Sequence, residues 1–189
     1  MQARLTLICS GVTPVARHGA FPADQSLDER MLGMAAALKP LLVRADRILT
    51  GPELRAKQTA EALGSAAAPS EILRDQDFGR WAGKDLAEVA QAEPQAFAAW
   101  LGDPEALPGG GEAFSAVMER VDGWLEQLLG APGHTVAVTH AAVIRAAILA
   151  VIGAPAACFA RIDVTPLSLT DLRGDGRRWT LRATGLTAR

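Results

Sequence analysis

The pattern of apolar and polar positions divides the chain into short apolar runs and longer segments with helical spacing. The apolar runs predict strands within residues 4–13, at 47–50, at 71–74 and at 135–139. Helical spacing predicts helices over 28–39, 53–63, 84–100 with a break at Pro94, and 140–152, and an amphipathic helix that includes Phe114, Val117, Val121, Leu125 and Leu128. The tail, 159–182, alternates in short pieces around a turn at 174–176, which predicts one or two strands in a hairpin.

Strands that alternate with helices predict a three-layer α/β/α sandwich with a mainly parallel sheet. A chain of 189 residues that is 49% hydrophobic can form one core, and we expect a single domain over 1–189. Residues 14–26 are rich in proline, glycine and polar side chains, which predicts a loop that is a candidate lid or pocket wall. His134 follows a proline and a glycine in a predicted turn, so we expect it to be exposed.

Small and polar residues follow the predicted strands at the point where each strand ends. They are Cys9, Ser10 and Gly11 after the first strand, residues 50–53 after the second, Asp75 after the third, and His140 after the fourth. In parallel sheets, ligands bind outside the carboxyl ends of the strands. We therefore expect these residues to surround one crevice.

The residue types in this crevice suit a phosphate or a carboxylate. Arg55, in the first turn of the helix after the second strand, offers a guanidinium for a bidentate contact. His140 can donate or accept a proton, and backbone donors at helix N-termini favour an anion. Each side chain alone would be an ordinary structural residue, and only their shared position at the strand ends indicates an anion site.

Charge and composition argue against other classes of protein. The chain has 19 Lys and Arg against 21 Asp and Glu, without a run of like charges, which argues against nucleic-acid or membrane-surface binding. The longest uncharged apolar run, 146–152, is too short to span a bilayer. Cys9 and Cys158 do not make a disulfide framework, and no leader is recognisable. We expect a soluble cytoplasmic protein, and without metal-ligand spacing we expect no metal.

Six stretches of the chain resemble, in order, motifs of the histidine phosphatase superfamily, which has the phosphoglycerate mutase-like fold. LTLICSGVT is similar to the strand and signature L-x-L-V-R-H-G-x-T, SLDER resembles P-L-T-E-x-G, and ILTGPELRAKQTAEAL is similar to S-S-P-x-x-R-A-x-Q-T-A. DQDFGRWAG resembles E-x-x-F-G-x-W-E-G, PGGGEAF resembles P-G-G-E-S, and VAVTHAAVIRAAI is similar to V-V-S-H-G-x-x-I-R. The resemblance covers nearly the whole chain and implies the family's fold.

The signature arginine and histidine of this family would stand where the chain has Cys9 and Ser10. In the family the histidine is the nucleophile that forms a phosphohistidine, and the arginine holds the phosphoryl group. Ser10 offers a hydroxyl that is barely ionised near neutral pH, and Cys9 brings no charge. The resemblance therefore implies a phosphate pocket, bordered by Cys9 and Gly11, that lacks the nucleophilic histidine.

Other functional positions of the family carry over. By resemblance, Arg55 is the second phosphate clamp, His140 is the second histidine, and Glu112 is a carboxylate near the site. Asp75 stands where the family usually has a glutamate proton donor, which is one methylene longer. Ala141 follows His140 where the family prefers glycine.

The letters R-H-G recur at residues 17–19, but not in the setting of the signature. The signature directly follows an apolar strand, whereas Pro14 lies three residues before Arg17. The interval from Ser10 to the next motif is close to the family's spacing, and the interval from His18 is far too short. Because this loop would border the pocket, Arg17 and His18 are still candidates for contact with a bound phosphate.

Three hypotheses for the function follow. The first is a catalytically impaired member of the family, a pseudoenzyme that binds a phosphorylated small molecule, phosphate or a partner. The second is a phosphomonoesterase that uses Ser10, Cys9 or His18 as nucleophile with His140 as acid and base. The third is a non-catalytic interaction subunit. The resemblance calls for no cofactor, and a homodimer is compatible with the predicted sheet.

Overall fold

Six strands form one central sheet in the computed structural model, which describes residues 2–42, 45–64 and 66–187. The strands are β1 (Ala3–Cys9), β2 (Arg47–Thr50), β3 (Ala68–Pro69), β4 (Gly133–Thr139), β5 (Leu169–Gly174) and β6 (Trp179–Leu186). Their order in the sheet is β3-β2-β4-β1-β5-β6. Strands β3, β2, β4 and β1 are parallel to one another, β5 is antiparallel to β1, and β6 is antiparallel to β5. The prediction of a mainly parallel sheet with a C-terminal hairpin is confirmed.

Helices cover both faces of the sheet. In the described residues they are α1 (Pro14–Arg17), α2 (Glu29–Ala36), α3 (Leu54–Ala62), α4 (Leu86–Ala92), α5 (Pro94–Gly102), α6 (Phe114–Leu129) and α7 (Ala141–Ile152). Helices α6 and α7 share one apolar core with Leu5, Leu7 and Cys9 of β1, whereas α2 and α3 share another with Ile8 of the same strand. The alternating sides of β1 therefore hold the two helical layers together, as expected for a three-layer sandwich.

The predicted third strand at 71–74 is wrong. The strand is the two-residue β3 at Ala68–Pro69, and Glu71–Leu73 instead form a 3₁₀ turn. The Leu73 side chain is fully buried, and its carbonyl accepts a hydrogen bond from the Thr139 hydroxyl at 2.8 Å. The apolar residues of this segment are therefore buried by packing against β4 and its surroundings, which periodicity alone does not distinguish from strand pairing.

Two further local predictions need correction. Residues 14–26 are not all loop, because Pro14–Arg17 form a helical turn with Pro14 at its first position and the Thr13 hydroxyl as its cap. His134 is buried rather than exposed, because β4 starts at Gly133 and the imidazole is hydrogen-bonded to the Thr6 hydroxyl at 2.9 Å.

An aromatic cluster closes the end of the sheet where the strand tips lie. Phe21, Phe78, Trp81, Phe97 and Trp100 are in contact through ring centroids 5.0–6.5 Å apart. The cluster joins helices α4 and α5 to the segments that follow β1 and β3. It therefore forms a wall beside the crevice that the strand ends define.

Candidate functional site

The carboxyl ends of β1 and β4 meet at one edge of the sheet. The two strands are parallel, with Cys9 opposite Thr139, and the backbone N–H of Ser10 donates to the carbonyl of Thr139 at 2.7 Å. The residue that follows β4 is His140, which caps α7 in an extended conformation. The register of two central strands thus brings Ser10 and His140 together across 130 residues of chain.

His140 lies between Ser10 and Glu53. Its Nδ1 atom is 3.2 Å from the hydroxyl oxygen of Ser10, and its Nε2 atom is 2.6 Å from a carboxylate oxygen of Glu53. The imidazole is only 2% exposed. A carboxylate can only accept, so in the neutral imidazole the proton sits on Nε2 and Nδ1 is free to accept from the Ser10 hydroxyl.

Glu53 caps α3 at the turn after β2 without bonding to the helix through its side chain. Its carboxylate instead accepts from His140 and, at 2.8 Å, from the backbone N–H of Asp75. Burial disfavours the charged carboxylate, but the hydrogen bond and charge of His140 and the Asp75 N–H outweigh it and lower the pKa of Glu53 to about 2. Glu53 is therefore ionised under ordinary conditions.

Arg55 and Asp75 form a buried ion pair beside this group. The Arg55 guanidinium donates to the Asp75 carboxylate at 2.5 Å and to the carbonyl of Ala23 at 3.0 Å. The same Asp75 oxygen lies 3.9 Å from Nδ1 of His140. The cation and the candidate acid are thus in direct contact, and their ion pair lies beside the imidazole of His140.

These side chains line a cavity of about 270 Å³ at the strand ends. Cys9, Ser10, Gly11, Arg55, Asp75 and His140, all singled out from the sequence, contribute to it. The remaining wall is mostly apolar, with Phe21, Phe78, Trp100, Phe114 and Phe159 among its members. Ala141 and Ala142, the first residues of α7, also line it, and the N–H groups of a first helical turn have no intrahelical acceptor.

Cys9 is a buried thiol in this structure. Burial, together with the nearby negative charge of Asp75, raises the pKa of Cys9 to about 12. A thiolate nucleophile at this position is therefore scarcely populated at neutral pH.

Three sequence candidates lie away from the cavity lining. Arg17 is paired with Asp28 at 2.8 Å, and His18 is exposed, with Nδ1 2.7 Å from the carbonyl of Pro14. Glu112 accepts from Arg74 and Arg120, behind the segment that bears Asp75. The structure brings none of these three to the surface of the cavity, and the place of Glu112 suits a support for the neighbouring loop.

Two residues near the site were interpreted only loosely from the sequence: Glu53 as a member of the crevice segment, and Arg145 as either a brace for the site or a surface cap. Glu53 stood within the expected crevice, but nothing in the pattern indicated that it would pair with a histidine 87 residues further on. Arg145 lines the cavity from α7 while its Nε donates to the carbonyl of Ile162 at 2.8 Å. The available signal was its place in the stretch VAVTHAAVIRAAI, where it matches the final arginine of the family motif V-V-S-H-G-x-x-I-R.

The described part of the chain contains no group of three or more His, Cys, Asp and Glu side chains that could hold a metal ion. Among the same residues, no helix is long and apolar enough to cross a membrane.

Comparison with known proteins identifies one family. Residues 5–187 match the family model of the histidine phosphatase superfamily, branch 1, and the chain belongs to this family. The phosphoserine phosphatase 1 of Hydrogenobacter thermophilus is 31% identical over 149 residues, covering 74% of this chain and 70% of that protein. The adenosylcobalamin/alpha-ribazole phosphatase of Salmonella typhimurium is 29% identical over 182 residues, covering 85% and 90%.

Solved structures give the same result. The alpha-ribazole phosphatase from Shigella flexneri superposes with a TM-score of 0.85 at 26% identity, covering 97% of this chain and 96% of that one. A mycobacterial glucosyl-3-phosphoglycerate phosphatase in complex with VO3 has a TM-score of 0.87 at 25% identity, covering 98% and 100%. The family assignment predicted from the motifs is confirmed.

Proposed function

We propose that this protein binds an organic phosphate in the cavity and does not turn it over through a phosphohistidine. One observation carries the proposal: Arg55, His140 and the start of α7 surround the cavity, while the end of β1 presents Cys9 and Ser10 to it. On this proposal the cavity keeps its anion-binding groups, but a serine stands at the end of β1 where the family has its attacking histidine.

The charges that line the cavity favour an anion. Arg55 and Arg145 contribute two guanidinium groups, whereas Asp75 contributes one carboxylate. The unpaired N–H groups at the start of α7 add partial positive charge. The names of the relatives also describe phosphatases acting on organic phosphates, which supports the same ligand class for this chain.

No histidine of the chain is arranged to become a phosphohistidine. His140 has both ring nitrogens engaged, by Ser10 and Glu53. His134 is hydrogen-bonded to Thr6 within the sheet, and His18 does not line the cavity. These are the three histidines of the sequence.

Binding is tested by calorimetric titration with inorganic phosphate and with p-nitrophenyl phosphate. We expect saturable binding by the natural chain and at least about tenfold weaker binding by Arg55→Met, because a hydrogen bond to a charged group contributes about 1.5–3 kcal/mol. Arg178→Met is the matched control, since that side chain is 82% exposed on the C-terminal hairpin. Equal affinity in the two variants, or no binding by the natural chain, would contradict the proposal.

Turnover is tested with p-nitrophenyl phosphate across pH 5 to 9. We expect no enzymatic hydrolysis by the natural chain and a gain of activity in the double variant Cys9→Arg with Ser10→His. Ser10→His alone shows whether the nucleophile suffices if the arginine does not fit beside the core. Hydrolysis by the natural chain that disappears in His140→Ala would show that the pocket is already an active phosphatase.

A specific contact favours a second candidate, a phosphomonoesterase in which Ser10 attacks. The 3.2 Å approach of its hydroxyl to Nδ1 of His140 is the arrangement that activates a serine. In that case the natural chain hydrolyses the phosphate ester and Ser10→Ala does not.

A further inference from the structure

Glu53, His140 and Ser10 form an ordered chain of hydrogen bonds that phosphate binding does not require. The carboxylate holds Nε2 of the imidazole at 2.6 Å, and Nδ1 lies 3.2 Å from the hydroxyl oxygen of Ser10. Ser10 and His140 are 5% and 2% exposed, and the side chain of Glu53 is 18% exposed. Carboxylate, imidazole and hydroxyl in this order are the parts of a serine-hydrolase triad.

The carboxylate sets the direction of the hydrogen bonds. Glu53 is ionised, because its pKa is lowered to about 2, and it therefore accepts the proton on Nε2. The neutral imidazole then has its lone pair on Nδ1, directed at Ser10. This tautomer can take up the serine proton, and the Glu53 charge stabilises the imidazolium that results.

The backbone leaves room for this pairing only because residue 51 is glycine. A Cβ atom on Gly51 would lie 2.8 Å from the Glu53 carboxylate and 3.0 Å from Nε2 of His140. Such distances are shorter than van der Waals contact, so any larger residue here would push the two partners apart.

We propose that Ser10, His140 and Glu53 are a catalytic triad that hydrolyses carboxylic esters with apolar acyl groups. Ser10 is the nucleophile, His140 is the general base and acid, and Glu53 positions His140. The inference uses the same cavity as the proposed function but does not depend on phosphate binding.

The steps balance without a co-reactant other than water. The Ser10 oxygen attacks the ester carbonyl carbon as its proton moves to Nδ1, and the carbonyl electrons become an oxyanion. The oxyanion collapses, the alcohol leaves with the proton from Nδ1, and an acyl-serine ester is formed. Water then attacks the acyl-serine with His140 as base, and the carboxylic acid and the free serine hydroxyl are restored.

The surroundings of Ser10 suit an acyl substrate. The N–H groups at the start of α7, where Ala141 and Ala142 line the cavity, are donors available to an oxyanion. The aromatic wall of Phe21, Phe78 and Trp100 offers apolar surface for an acyl or aromatic group. An ester is neutral before attack, so it needs no compensating cation at Cys9.

The first experiment measures p-nitrophenyl butyrate hydrolysis and labelling by diisopropyl fluorophosphate, in which a Ser10 O–P bond forms and fluoride leaves. We expect the natural chain to hydrolyse the ester and to take up one diisopropylphosphoryl group, found on Ser10 by peptide mass analysis. Ser10→Ala should lose at least about a hundredfold in kcat and all labelling. Ser26→Ala, at an exposed serine outside the cavity, should behave like the natural chain.

The second experiment tests Glu53 as a positioning residue. In Glu53→Gln the amide can donate to Nε2, which favours the tautomer with the proton on Nδ1 and deprives Ser10 of its acceptor. We expect kcat to fall by about a hundredfold or more with little change in KM, and the pH profile of kcat to change. Glu119→Gln, at an exposed carboxylate on α6, should leave both unchanged.

The results separate this inference from the phosphate proposal. If phosphate binds but ester hydrolysis does not exceed that of Ser10→Ala and no serine is labelled, the triad inference is wrong and the phosphate proposal stands. If ester hydrolysis depends on Ser10 and Glu53 while phosphate does not bind, the reverse holds. If Glu53→Gln raised KM by as much as it lowered kcat and left the pH profile of kcat unchanged, Glu53 would have only a structural role.

Discussion

At the scale of single residues, burial and hydrogen bonding decide what each group at the strand ends can do. Glu53 is held as an anion because His140 and the Asp75 backbone stabilise its charge more than burial penalises it. For Cys9, at the end of β1, burial and the charge of Asp75 outweigh the opposing effects of Arg145 and Arg55, and the group stays a thiol. The immediate partners thus keep one acidic group ionised and the other neutral.

Glu53 should make stability depend on pH in a defined window. Its pKa in the folded protein is about 2, below its ordinary value of 4.5, so its contribution is complete above pH 4.5 and is lost as the pH falls towards 2. At 1.36 kcal/mol per pKa unit the full effect is about 3 kcal/mol. Urea denaturation at several pH values should show that the stability gap between the natural chain and Glu53→Gln narrows over this window. A gap that stays constant with pH would contradict the assignment.

Cys9 should resist thiol reagents in the folded protein. Its raised pKa and 4% exposure keep the thiolate scarce and out of reach, whereas Cys158 is only half-buried. At pH 8 we expect iodoacetamide to modify Cys158 first, and the Cys158→Ser variant to stay unmodified until it is denatured. Rapid alkylation of Cys9 in the folded Cys158→Ser variant would contradict this and would make Cys9 a candidate nucleophile again.

At the scale of elements, the position of the site depends on strand register and on two loops that interlock beside it. The register of β1 against β4 sets Ser10 next to His140. The loop that bears Asp75 is held from behind by Arg120, which donates to the carbonyls of Ile72 and Arg74, and by the N–H of Glu112, which donates to the carbonyl of Asp77.

Gly111 is the tightest point between those two loops. A Cβ atom there would lie 2.1 Å from the carbonyl oxygen of Asp77, a backbone atom that cannot move alone. We expect Gly111→Ala to destabilise the protein by about 1–3 kcal/mol, measured by chemical denaturation. Gly123→Ala is the matched control, since nothing lies within 4 Å of that added methyl group on α6. A helical glycine replaced by alanine should gain about 0.5–1 kcal/mol. Equal stability of the two variants would mean that the loops separate without cost.

At the scale of the whole molecule, two apolar cores lie on the two faces of the central sheet. An aromatic cluster packs beside the carboxyl ends of its parallel strands. The family and the layered fold are confirmed, while the single domain over 1–189 stays a prediction. The tryptophans report on different regions. Trp81 and Trp100 lie in the aromatic cluster, whereas Trp124 and Trp179 pack in the core that α6 and α7 share with β1.

A single domain should unfold in one step. Two double variants each keep one pair of tryptophans: Trp124→Phe with Trp179→Phe, and Trp81→Phe with Trp100→Phe. In each variant we expect the urea transition seen by tryptophan fluorescence to coincide with the loss of far-ultraviolet circular dichroism. An earlier fluorescence transition confined to the variant that keeps Trp81 and Trp100 would mean that the aromatic cluster and its helices unfold as a separate unit.

The sequence by itself determined most of the strands and helices along the chain, the family, and the set of residues at the strand ends. It could do so because the side-chain period reports local structure directly, and because parallel strands deliver their tips to one edge. Cys9, Ser10, Arg55, Asp75 and His140 were therefore all found at the cavity. Segment 71–74 was misassigned because a buried turn and a buried strand carry the same apolar residues.

Only the tertiary structure decided which of these groups touch and in what charge state. The pairing of Glu53 with His140 joins residues from two different strand ends, and no local pattern encodes a contact across 87 residues. Arg17 and His18 match the letters of a signature, but in the structure Arg17 pairs with Asp28 and His18 contacts the carbonyl of Pro14. Direction, distance and burial arise only when the sheet assembles, and they determine which groups share a proton.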